Sequence, residues 1–135
     1  MEVRAPVSVG ELLDKISILD IKAQRIQDPD KLKNVEHERD LLNQEWRRVG
    51  PAPGEDPEVD RLRAELAQVN EELWEIEDAI RDKEREGVFD EEFIELARSV
   101  YLTNDRRAQL KKDLNLRMGS DLVEEKSYAP YSPSS

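Results

Sequence analysis

The chain predicts an all-α fold: an antiparallel helical bundle with a long coiled-coil-like third helix and an extended C-terminal tail. Three observations predict it. Seven apolar residues, Val59, Leu62, Leu66, Val69, Leu73, Ile76 and Ile80, alternate spacings of three and four with no Gly or Pro among them. That repeat keeps one face of a long helix against a partner along its whole length. Ser8, Asp28, Asp56 and Asp90 punctuate the chain, and these residue types cap helix N-termini. Finally, 37% of the 135 residues are hydrophobic and 39% are charged, which suits narrow apolar stripes backed by wide solvated faces.

Each element has a local reason. Pro6 precedes Val7-Ser8-Val9-Gly10-Glu11-Leu12, in which Ser8 and Glu11 form a capping box and Val7 and Leu12 its hydrophobic staple. The first helix is therefore expected over about 9–27, with Leu12, Ile16, Leu19, Ala23 and Ile26 as its seam. Leu13, Ile18 and Ile21 add a second strip for another neighbour. Asp28-Pro29 stops this helix and starts the next over about 30–49, because Pro at the first helical position lacks only an N–H that would be orphaned anyway. Leu32, Val35, Leu42, Trp46 and Val49 share one side of it, interrupted by Arg39, which must snorkel or pair. Trp46 and Trp74 lie at or beside seams, where packing is the commoner role.

The loop Gly50-Pro51-Ala52-Pro53-Gly54 leads to a second Asp-Pro signal at Asp56-Pro57 and a third helix over about 57–86. At ~1.5 Å per residue that helix spans roughly 45 Å, longer than the first two, so part of its seam can overhang, and an overhanging seam would seek a second copy of the chain. Gly87 ends it, and Asp90 with Glu91 and Glu92 starts a fourth helix over about 91–117. Gly119 is the expected stop. Residues 122–131 have no helical period and read as extended, with pairing against residues 2–7 as one arrangement. Residues 1–131 thus form a single domain, and 132–135 a frayed end.

The charge is uneven. Net charge is −11, of which residues 51–100 carry 17 carboxylates against six cations. Such a face repels phosphate backbones and anionic membranes and favours a basic protein partner, a cation, or nothing beyond solubility. The basic run Arg106, Arg107, Lys111, Lys112 and Arg117 complements the end of the fourth helix and has no aromatic or Gly-rich companion, so nucleic acid is not expected. There is no cysteine, hence no disulfide and no thiolate metal site. The start MEVRAPVSVGE lacks the apolar core of a signal peptide, and no run of about 18 apolar residues occurs, so a cytoplasmic location without membrane insertion is expected.

Chemistry-bearing residues are few. His37, between Glu36 and Glu38, is the one histidine and reads as a solvated surface residue. Tyr101, Asn104 and Arg107, with Trp74 opposite, could line a small polar binding pocket. The simpler reading of Asn104 is that it fixes helix register, as a lone buried Asn does in coiled coils. Glu72 and Glu75 stand one turn apart on the third helix, and Glu92 and Glu95 one turn apart on the fourth. Two such pairs on adjacent helices could hold Mg²⁺ against phosphate, because hard cations take several converging oxygens. The segments Glu71-Glu72-Leu73-Trp74-Glu75 and Glu91-Glu92-Phe93-Ile94-Glu95 are similar to those of the MazG-type helical nucleoside triphosphate pyrophosphatases. They depart from that pattern at Glu95, where Asp is usual. The competing reading is a solvated acidic face.

A longer resemblance covers residues 3–128. The blocks VSVGELLDKISILDIKAQRI, LKNVEHERDLL, LWEIEDAIRDKE, FIELARSVYLTNDRRAQLKKDLN and GSDLVEEKSY resemble a bacterial family of small proteins without assigned function, domain of unknown function 6165. The resemblance implies that the tail belongs to the fold. At its furthest it implies an accessory role in cell-surface polysaccharide synthesis. The leading expectation is a non-enzymatic helical interaction or scaffold protein without cofactor, self-associating or docking a protein partner. The alternative is the Mg²⁺-dependent hydrolase of a nucleotide or another phosphorylated small molecule.

Overall fold

The computed structural model describes residues 1–131, and the expectation for 132–135 falls outside them. Ser8 opens α1 (Val9–Arg25) by accepting the Glu11 backbone N–H at 3.0 Å. The other half of the expected capping box is replaced: the Glu11 carboxylate turns to Lys111 at 2.5 Å and Lys15 at 3.7 Å. Asp28 caps α2 (Pro29–Val49), Asp56 caps α3 (Pro57–Glu86) and Asp90 caps α4 (Glu91–Met118), each accepting backbone N–H groups of the first turn. Ile26 is already extended, so α1 stops two residues short of its expected end. Gly87 and Gly119 close α3 and α4 at φ 69° and 65°, left-handed conformations that Gly adopts without a Cβ penalty.

All four helices pack together, and no strand forms among the described residues. α1 is the hub. It touches α2, α3 and α4, while α3 also packs along α4 and the backbone of α2 rests on α1. The core joins Leu12, Leu13 and Ile16 of α1 to Val59, Leu62 and Leu66 of α3 and Leu114 of α4, and Trp46 inserts from α2. Burial on this scale, at about 25 cal/mol per Å² of apolar surface, is what orders helices whose outer faces are mostly charged. Arg39 does pair, at 3.6 Å from Asp20 of α1.

Cover along α3 is uneven. Val59, Leu62, Leu66, Val69 and Leu73 are buried, but Ile76 and Ile80 are only partly so. The cause is length: α1 ends at Arg25, which pairs with Glu71 at 2.8 Å and Glu75 at 2.6 Å. Beyond that level α3 and α4 have only each other, and Phe89 is 59% and Ile94 54% exposed. The seam overhangs, as its length allows.

The tail doubles back along α4. Glu124 accepts from Ser8 Oγ at 2.5 Å, Lys126 pairs with Asp105 at 3.3 Å, and the Tyr131 ring lies 5.4 Å from that of Tyr101. These partners are side chains, so the tail is held to the bundle without joining a ladder with residues 2–7.

Candidate functional site: cavities around Arg107

Arg107 lies about three turns before the end of α4 and borders two openings. Its Nη2 donates to Asn104 Oδ1 at 2.8 Å, and its Nη1 to Asn70 Oδ1 at 3.4 Å. Asn70 is 3% exposed and donates in turn to Asp14 Oδ1 at 2.9 Å and Ser17 Oγ at 3.2 Å. A polar chain therefore crosses the bundle from α1 through α3 to α4. Full satisfaction is what makes such a buried network tolerable.

On one side Arg107 and Asn104 line a cavity of about 410 Å³ with Tyr101, Asp105, Lys111 and the tail residues Lys126 and Tyr128. On the other they line one of about 510 Å³ with Trp74, Ile18, Leu73 and Arg81. Both volumes fall within the range of small-molecule sites. Asn104 and Arg107 thus line both cavities, Tyr101 only the first and Trp74 only the second, so the four expected residues do not share one pocket. The Trp74 ring also carries the Arg25 guanidinium, 5.8 Å from its centroid.

The electrostatics single out Arg107. Lys111 is held by Glu11 and lies 3.8 Å from Asp14, and Lys126 is held by Asp105. Asp105 also binds the Tyr131 hydroxyl and so pushes that phenol above its ordinary value. No ion pair among the described residues includes Arg107, whose two hydrogen-bond partners are neutral amides.

This chain belongs to a family of unknown function, DUF6165. The family model matches residues 2–135, as the resemblance in its sequence blocks implies. No curated protein and no solved structure matches it.

The four carboxylates of the metal alternative do not meet in this member of the family. Glu72 faces Arg106 at 2.9 Å, Glu75 faces Arg25, and Glu92 faces Lys83 at 3.0 Å. Antiparallel pairing is the reason. Glu92 sits beside position 83 of α3, about 16 Å along that helix from Glu72 at 1.5 Å per residue. Among the described residues no group of three or more His, Asp or Glu could hold a metal ion. His37 is exposed, and none of the described helices is long and apolar enough to cross a membrane.

The sequence reading missed the residues that organise this region. Asn104 is only half-buried, whereas Asn70 is the buried amide on the α3 side. Asn70 sits one turn from both Leu66 and Leu73, so its place on the seam was available as a signal. Asn115, 2% exposed, accepts the Gly10 backbone N–H at 2.6 Å and stands beside the core residue Leu114. Asp14 gave no signal, because its partners come from α3 and α4.

Proposed function

We propose that this protein is a non-enzymatic helical interaction module whose docking face is the overhanging end of the α3–α4 hairpin. One observation carries the reading: beyond Leu73 the seam loses its third helix, leaving Ile76 and Ile80 half-covered and Phe89 and Ile94 mostly in water. Apolar side chains grouped at the end of a charged molecule mark interaction surfaces. Phe89 and Phe93 stack edge to face at 5.1 Å, which presents the exposed ring in a fixed position.

The charge around this face selects the partner. Residues 76–95 hold nine carboxylates and three cations. A second copy would bring the same excess, and like charge across an interface is unfavourable. A basic protein surface with an apolar centre is complementary.

The test compares wild type with Phe89→Ser and Ile94→Glu, both at exposed positions. Affinity capture from the native cell should retain a basic protein on wild type and lose it on both variants, with melting temperatures unchanged. Sedimentation should show the isolated chain as a monomer. A wild-type dimer that Ile94→Glu dissolves would replace the basic partner with a second copy. Identical capture by all three proteins would overturn the docking face.

A further inference from the structure

We propose that the cavity between α4 and the C-terminal tail binds a small organic phosphate, with Arg107 as its anion anchor. This site is separate from the hairpin overhang and does not rest on it. Among the described residues Arg107 forms no ion pair, although Glu77 and Asp78 line the other cavity it borders. In a chain of net charge −11, with carboxylates available on every helix, the half-buried Arg107 is steered by two amide oxygens and, among the described residues, by no carboxylate. Asn70 and Asn104 fix the plane of the guanidinium without neutralising it. Two of its five N–H donors are used, and the rest of the fork keeps the geometry that matches phosphate oxygens in pairs.

A second cation can join it. Lys126 pairs with Asp105 at 3.3 Å, and both side chains are 43% exposed. Exposed pairs of this kind contribute little, so a dianion in the cavity can draw Lys126 away from Asp105 at small cost. A monocarboxylate would need Arg107 alone, and the second cation favours phosphate. The cavity, about 410 Å³, is larger than one phosphate group requires. Tyr101 and Tyr128 line the remaining space from α4 and from the tail, and offer ring faces and hydroxyls to the organic part. The tail is thus a wall of the site, and its return along α4 is what gives the cavity depth.

Titration calorimetry with inorganic phosphate and with ribose 5-phosphate tests this on the full chain. Ribose 5-phosphate should bind, and more tightly than inorganic phosphate. Arg107→Gln should weaken it by about tenfold or more, the loss of a charge-assisted bidentate contact. Arg107→Lys should not restore it, since an ammonium lacks the planar fork. Lys126→Gln and Tyr128→Ala lie on the tail and leave the bundle core untouched. They should each weaken binding severalfold even if Arg107→Gln fails to fold. Absence of binding by either probe at millimolar concentration would overturn the proposal, as would unchanged affinity in Lys126→Gln and Arg107→Gln. Equal affinity for the two probes, unaffected by Tyr128→Ala, would overturn the organic part.

Discussion

Glu124 reaches back 116 positions to accept a hydrogen bond from the Ser8 hydroxyl at 2.5 Å. The same carboxylate lies 3.4 Å from the Asn115 amide. Ser8 Oγ in turn accepts the Glu11 N–H, and Asn115 accepts that of Gly10. The orphan donors at the start of α1 are thus served by side chains that converge from both ends of the chain. Burial alone would raise the Glu124 carboxyl, but the bonds from Ser8 and Asn115 and the nearby Lys111 ammonium hold it below the ordinary carboxylate value.

Glu124→Ala should therefore free the tail without unfolding the bundle. We expect a loss of about 1 kcal/mol in global stability, the usual size of a capping contribution at a partly exposed site. Limited proteolysis should cut near residues 122–128 much faster than in wild type. Equal cleavage rates would mean that the tail is held by other contacts.

Gly10 sits where α1 crosses α4, and a Cβ there would run into the backbone carbonyl of Lys111. A backbone cannot move aside as a side-chain tip does. Gly10→Ala should thus cost about 2 kcal/mol or more despite the better helix propensity of Ala. Gly54→Ala is the control. It meets no neighbouring atom, and only its φ of 86° strains the variant, so it should cost about 1 kcal/mol. Chemical denaturation measures both.

Much of this architecture was legible because its causes are local. Ser8, Asp28, Asp56 and Asp90 each act on the turn that follows them, so the helix starts could be read within four residues. The α3 seam could be read for the same reason, and its overhang followed from counting residues. The grouping of Tyr101, Asn104 and Arg107 was legible, since they share a helix face, but the placing of Trp74 against a different cavity was not. Nor was the organisation of the site. Asn70, Asp14 and Asn115 matter through partners more than 50 positions away, and no periodicity encodes which helix a polar side chain will meet. The carboxylate pairs failed for a related reason: one-turn spacing within a helix says nothing about the axial offset between helices.

The uneven cover of α3 predicts a gradient along one seam. Leu66 is 1% exposed and surrounded by α1 and α3 core residues, so Leu66→Ala should cost about 2–5 kcal/mol. Ile80 occupies an equivalent seam position beyond the reach of α1. Ile80→Ala should cost about 1 kcal/mol, because partly covered side chains lose less on truncation. Equal losses at the two sites, measured by urea denaturation, would mean that something covers the overhang in the isolated protein.

Two aspartates should shape the acid limb of stability in opposite senses. The Arg117 guanidinium, with N–H groups of the first turn of α3, holds the Asp56 carboxyl below its ordinary value. A depressed folded-state pKa contributes stability that is present above the unfolded value near ~3.9 and is lost as pH falls through the folded one. Asp20 is the reverse: burial pushes it up, more strongly than Arg39 and Arg63 pull it down. In the folded state it therefore takes up its proton first, and its contribution improves as pH falls from neutral toward ~3.9. Asn keeps the capping oxygen at position 56, so Asp56→Asn spares the cap and removes the charge together with the second oxygen that Arg117 bonds. Asp56→Asn should lower the melting temperature near neutral pH and flatten its fall below pH ~4. Asp20→Asn should raise or preserve the melting temperature near neutral pH, because a partly desolvated charge is removed while an acceptor for Arg39 remains. Melting curves of the three proteins between neutral and acid pH decide it, and parallel shifts in both variants would contradict the assignment of opposite environments.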